Sequence, residues 1–211
     1  MKTRILIPAL LATAVAFTGC VTKPYDYTNF RAHPPRSVLV LPPLNESTDI
    51  RGTYGYLSTV TRPLAEMGYY VFPVVVVDQY MKENGLPTAG EMHQVPLDKI
   101  RDIIGADAVL YITLKQYGSK YQVITSTTIV TAEGKLVDVK TGTTLWEGST
   151  TVQQSSSSGN VIADLVVAAV DQAINSSTDQ AHDLAHQANV QLLMTKDHGL
   201  LYGPCFPKEK Q

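Results

Sequence analysis

Residues 104–114 read IGADAVLYITL, and this stretch decides the fold class. Gly105 stands where a helix stops, and Ala108 to Leu114 form a short, continuous apolar run of the kind that makes a strand buried on both faces. Just upstream, Pro96 opens a helix with Leu97, Ile100 and Ile104 on one face, so proline begins the element and glycine ends it. A helix delivered straight into a two-sided strand is the repeating step of an α/β protein.

The same step recurs upstream. Ser37 to Leu41 (SVLVL) is a second buried-type strand, halted by Pro42-Pro43 and followed by a polar loop from Asn45 to Thr53. Leu57, Val60, Leu64 and Met67 then recur at steps of three and four, which predicts a helix ended by Gly68 and kinked or split at Pro63. Tyr69 to Val77 (YYVFPVVVV) reads as a further β-rich run, with Pro73 requiring a bulge or an edge. Asp78 is placed to cap a short helix to Asn84, closed by Gly85. Downstream, Lys120 to Gln154 is rich in β-branched residues and reads as consecutive hairpins around Gly134 and Thr141-Gly142. A Ser155–Gly159 linker leads to two expected helices, Val161–Ile174 and Thr178–Met194. The sum is an α/β chain, a three-layer-like sandwich with a mixed β-sheet covered by helices.

The beginning of the chain carries a different signal. Lys2 and Arg4 precede an apolar run from Ile5 to Phe17, broken only by Pro8 and Thr13, and Thr18-Gly19 lead directly to Cys20. That run is too short to span a bilayer and has the layout of a cleaved signal peptide. The small pair before cysteine resembles the lipobox, which implies cleavage before Cys20, lipidation of its thiol and acylation of the new amine. Several acyl chains anchor firmly, since each buried methylene contributes about 0.8 kcal/mol. Val21 follows the cysteine where inner-membrane lipoproteins commonly carry Asp, so the resemblance implies the periplasmic face of the outer membrane. The expected organisation is a signal peptide at 1–19, lipidated Cys20 and a flexible tether at 20–36, a globular domain at 37–195 and a C-terminal tail at 196–211. Fully extended, Val21 to Arg36 would reach roughly 50 Å.

Composition narrows the classes of function. The chain has 17 basic and 19 acidic residues with no basic stripe, which argues against nucleic acid as a partner. The most apolar later segment, Val161 to Ile174, contains Asp164 and Asp171 and reads as a core helix. With Cys20 committed to lipid, Cys205 is left as a free thiol or one half of an intermolecular disulfide.

Four blocks, SVLVLPPLNES (Ser37–Ser47), PLAEMGYYVFPV (Pro63–Val74), IGADAVLYITL (Ile104–Leu114) and LVDVKTGTTLWEG (Leu136–Gly148), resemble an uncharacterised family of bacterial lipoproteins with a similar lipobox. That family is similar in fold to the N-terminal domain of TolB, to the periplasmic core of the curli secretion lipoprotein CsgG and to lipoproteins that activate peptidoglycan synthases. The resemblance implies membrane attachment through Cys20 and a protein partner in envelope assembly or secretion, such as a CsgG-like lipoprotein or a second copy of the chain. It implies no cofactor and no catalytic residues.

The enzymatic alternative is a zinc-dependent hydrolase built on His182-Asp183-Leu184-Ala185-His186. Histidines four apart share a helix face, as in the H-E-x-x-H motif, but Asp stands where that motif has Glu, and a spaced third ligand is missing, His198 lying beyond the helix. A solvated helix face is the reading the spacing of Leu184 and Ala188 favours. His33 falls in the tether and His93 stands alone. No G-x-S-x-G elbow, Walker loop or G-x-G-x-x-G occurs, and Ser155–Ser158 have no neighbouring histidine. Trp146, the one tryptophan, reads as a sheet anchor, and Asp138 with Gly142 as the brackets of a turn. A pore is disfavoured because the β-rich stretch lacks an apolar outer face.

Overall fold

The computed structural model describes residues 24–121, 125–157 and 166–207. The expected signal peptide, Cys20 and residues 158–159 of the expected linker lie outside them, while Ser155 to Ser157 are not linker but the end of a β-strand paired with residues 125–127.

Two strands with opposite requirements organise the molecule. After a short helix α1 (Thr28–Ala32), β1 (Ser37–Val40) sits inside a mixed sheet ordered β3–β1–β4–β5–β6. It is parallel both to β3 (Tyr70–Val71) and to β4 (Ala108–Tyr121). The two-residue β2 (Leu44–Asn45) pairs parallel with β4 farther along. The continuous apolar run in β1 is explained by burial on both sides. Val38 and Val40 enter one core with Tyr56, Val60 and Leu64 of α2 (Gly52–Glu66). Leu39 and Leu41 enter the other core. That second core is closed by Val77 and Met81 of α3 (Val74–Glu83), Met92 of α4 (Ala89–Met92) and Ile100 of α5 (Leu97–Ile103). Helix, sheet, helix is the expected three-layer arrangement, and the fold class stands as read.

Beyond β4 the construction thins to two layers. β4, β5 (Thr125–Asp138) and β6 (Thr144–Ser157) are antiparallel, joined at the second connection by the expected turn. There the Asp138 carboxylate accepts bonds from the Thr141 backbone N–H and hydroxyl, both at 2.7 Å, and Gly142 has φ 71°. The long helix α6 (Val166–Met194) covers one face with Ala181, Leu184, Ala185, Ala188, Leu192 and Leu193. The other face of the β5–β6 pair is covered at its Val137 end and left open from Lys135 and Glu147 onward among the described residues.

Five expectations are corrected by the structure. Val74 to Val77 are helical, not strand. Pro73 occupies the N-cap with φ −59°, and the Val77 N–H donates to its carbonyl at 3.0 Å. Val77 and Met81, one turn apart, bury while Val75 and Val76 stay 76% and 64% exposed, so packing of one helical face overrides β-branched propensity. Asp78 therefore lies inside α3, paired to Lys82 at 2.6 Å, rather than at its start. Pro63 does not split α2, which is one helix; it falls near the C-terminal end of an element already held by Tyr56, Leu57 and Val60. Gly134 is no turn: it lies mid-strand between Ile112 and Gly148, where a Cβ would stand 3.0 Å from the Trp146 ring. The two expected C-terminal helices are one, since α6 runs unbroken from Val166 through Thr178.

The stretch expected as a flexible tether is also different. From Tyr25 onward it is docked on the domain. Tyr27 and Phe30 enter the main core, the Tyr27 hydroxyl donates to the Gly199 carbonyl at 2.5 Å, and the Tyr25 N–H donates to the Asp197 carbonyl at 3.0 Å. Tyr-x-Tyr-x-x-Phe is a poor composition for a linker, because two buried aromatics and a partly buried third outweigh the cost of ordering a few residues.

Candidate functional site

The uncovered sheet face presents a ladder of polar side chains generated by the two-residue period of the strands. Inward positions of β5 and β6, Val130, Ala132, Leu136 and Trp146, are buried beneath α6. Outward positions alternate with them. Tyr111 stands opposite Lys135, which stands opposite Glu147, and Thr113, Glu133 and Ser149 form the next rung. Lys135 Nζ is 3.0 Å from Glu147 Oε1, and Lys115 Nζ is 3.0 Å from Glu46 and 3.6 Å from Glu133. The Thr131 and Thr151 hydroxyls are bonded at 3.0 Å. These pairs are about half exposed, where an ion pair contributes at most about 1 kcal/mol, so they shape a surface more than they hold the fold.

β6 is also the outermost strand. Its first residues are capped by the docked N-terminal segment: Asn29 Nδ2 donates to the Thr144 carbonyl at 3.3 Å, and the Glu147 N–H donates to the Tyr25 hydroxyl at 3.1 Å. Because the Glu147 N–H points away from β5, those of Ser149, Thr151 and Gln153 do as well. Ser149 to Ser157 (STTVQQSSS) contains neither charge nor proline, the usual guards of an edge strand. A free edge beside a polar open face can accept an extended segment of another chain by backbone pairing.

A second feature adjoins the start of β6 through Tyr25. The segment after α6, expected as a tail, turns back over the core. The Leu200 N–H donates to the Leu193 carbonyl at 2.7 Å, and the Gly203 and Cys205 N–H groups donate to Met67 and Gly68 at 2.8 and 3.1 Å. The Tyr69 hydroxyl donates to the Leu201 carbonyl, and Trp146 Nε1 donates to the His198 carbonyl at 2.8 Å. Gly68 has φ 88°, and a Cβ there would collide with the Phe206 backbone. Between this segment and Pro24, Tyr25 and Arg31 lies a cleft of about 600 Å³, floored by Met67, Met194 and Leu200. Burial raises the pKa of Tyr25 and of Tyr27 above the ordinary tyrosine value, so both phenols stay protonated.

The histidine pair does not assemble a centre. His182 is exposed and His186 half-buried on α6, and among the described residues no three His, Cys, Asp or Glu side chains come together as a metal group. His182 Nε2 lies 3.1 Å from the Ser58 hydroxyl of α2. Ser58 Oγ also lies 2.9 Å from the Gly55 carbonyl of its own helix, so its single proton is shared between two candidate acceptors. The pair ties two helices together. His198 contributes its backbone carbonyl to Trp146. His33 is exposed at the end of α1, and His93 is half-buried with Nε2 donating to the Pro42 carbonyl at 2.9 Å. Cys205 is exposed and unpaired. Among the described residues no helix is long and apolar enough to cross a membrane.

A family model described as "Putative lipoprotein GNA1162-like" matches residues 25–205. A curated relative, "Putative lipoprotein NMB1124/NMB1162" of Neisseria meningitidis serogroup B, is 43% identical over 206 residues, covering 95% of this chain and 96% of the relative. The crystal structure of lipoprotein GNA1162 from Neisseria meningitidis superposes with a TM-score of 0.55 at 43% identity, covering 69% of this chain and 99% of that one. The C-terminal domain of LpoB from Salmonella enterica is a more distant match, at TM-score 0.41 and 21% identity over 56% of this chain and 83% of that one.

Proposed function

The chain belongs to the GNA1162-like lipoprotein family, and from that premise we propose that it is a lipid-anchored, non-catalytic envelope protein that holds a protein partner at the membrane. Cys20 carries the lipid, and Val21 after it directs the chain to the periplasmic face of the outer membrane. The observation that carries the binding role is the unguarded outer edge of β6 beside an uncovered polar face. An extended partner segment pairs with the N–H and C=O groups of Ser149, Thr151 and Gln153, while Lys135, Glu147 and Glu133 beside it select the partner's charges. The partner class is an envelope assembly or secretion component, such as a CsgG-like lipoprotein, or a second copy of this chain.

The test is photo-crosslinking in living cells from a probe at Gln153, with and without Thr151→Pro. Proline removes an outward N–H and places its ring in the path of a pairing strand, yet leaves the backbone bonds to β5 intact, the one exposed hydroxyl bond to Thr131 being lost. The expected result is one discrete adduct that Thr151→Pro abolishes while the melting temperature of the domain stays within a few degrees. An adduct of twice the chain's mass assigns the partner as a second copy. Absence of any adduct, or one unaffected by the proline, contradicts edge pairing.

A further inference from the structure

The docking of residues 25–33 changes the geometry of anchoring. A tether free from Val21 to Arg36 would let the domain stand roughly 50 Å from its lipid. The described chain is held to the domain from Tyr25, and Pro24 already lines the cleft at that end. Only the four steps from Cys20 to Pro24 are left, which span at most about 14 Å. The headgroup layer of one leaflet is itself roughly 5–8 Å deep, so this reach cannot hold a domain whose α2 alone is about 22 Å long clear of the surface. We infer that the end of the domain bearing Pro24, Arg31, Lys196 and Tyr202 lies directly against the phospholipid headgroup layer, in one fixed orientation. This rests on Cys20 being the lipidated residue.

The chemistry of that end suits the site. Tyr202 is 44% exposed and stacks on Phe206 with ring centroids 4.0 Å apart, giving an amphipathic aromatic pair of the sort that sits at a membrane interface. Arg31 and Lys196 are exposed cations at the rim of the cleft, within reach of lipid phosphates, and Asp26 and Asp197 beside them keep the local charge balanced. The surface thus fits ordinary zwitterionic headgroups without needing a strongly anionic membrane. At the other end of α2, Ile50 is 90% exposed, two residues before the helix begins, and points away from the bilayer in this orientation. The free edge of β6 beyond Glu147 runs away from the same membrane-facing end, which leaves it open to a partner in the periplasm.

The test uses the full lipidated chain in vesicles of phosphatidylethanolamine and phosphatidylglycerol carrying a headgroup-linked energy acceptor. One sample is labelled at Cys205, whose backbone is bonded to Gly68 just past the end of α2. The other is labelled in the variant Ile50→Cys with Cys205→Ser, both exposed positions. Energy transfer should be several-fold more efficient from Cys205 than from position 50. Equal transfer from the two labels, or stronger transfer from position 50, overturns the orientation. Flotation of the same samples separates the causes. A chain that floats yet shows equal transfer contradicts the orientation alone. One that neither floats nor carries acyl chains contradicts the lipidation of Cys20, and the orientation falls with it.

Discussion

The indole N–H of Trp146 donates to the backbone carbonyl of His198 at 2.8 Å, tying the outermost strand of the sheet to the segment that follows the last helix. Trp146 is fully buried, and two glycines make room for its ring: Gly134 across the pair on β5, and Gly148 two residues along the same strand. Trp146→Ala should therefore cost about 3–5 kcal/mol, the usual penalty for emptying a large aromatic site. Gly148→Ala, which drives a methyl into the indole, should cost about 1–3 kcal/mol. Urea denaturation of the soluble domain measures both. A loss below about 1 kcal/mol for Trp146→Ala would show that the ring is not the anchor described.

The docked N-terminal segment makes a second prediction. Phe30 is 3% exposed and shares the main core with Tyr27. Phe30→Ala should destabilise the domain by about 3–5 kcal/mol. Rewriting residues 24–36 as a Gly/Ser linker should lower the melting temperature by many degrees, where a true tether would tolerate it. An unchanged melting temperature would restore the free tether.

How far the sequence could be read follows from the same segment. Strands and helices with a single environment were legible: SVLVL and AVLYITL because both faces are buried, and Leu97–Ile104 because proline and glycine mark its ends. Elements decided by distant contacts were not. Val74 to Val77 have strand propensity, and become helix only because Val77 and Met81 have a core to enter beneath β1. Gly134 looks like a turn until Trp146, twelve residues on, needs the space above it. The Tyr25, Tyr27 and Phe30 spacing was visible, but its docking partners, Asp197 and Gly199, lie at the far end of the chain. His182 was legible as a surface residue, whereas His186 is half-buried. The open face of β5 and β6 was not, because nothing local reveals which sheet faces the helices leave bare.

His93 gives a pH dependence. Burial holds its pKa below the ordinary 6.5, against the smaller opposing effect of its bond to the Pro42 carbonyl. The unfolded chain takes up the proton first as pH falls, so stability drops between pH 6.5 and the lower folded pKa, then levels off. The melting temperature should decline across that window in the wild type and decline less in His93→Gln. An identical decline in both would remove His93 as the cause.

The helix carrying His182 and His186 should bind no structural zinc. Their replacement by alanine removes one exposed inter-helix bond, Ser58 to His182, and should shift the melting temperature by only a few degrees. Thermal scans with and without equimolar zinc should coincide. A rise of many degrees with zinc, lost in the double variant, would revive the hydrolase.

Anchoring rests on one residue, and one measurement addresses it: the intact mass of the mature chain extracted from the outer-membrane fraction. The account predicts a polypeptide beginning at Cys20, heavier than its amino-acid sequence by a diacylglyceryl group and one further acyl chain. A chain beginning elsewhere, or an unmodified Cys20 in a freely soluble protein, would contradict it.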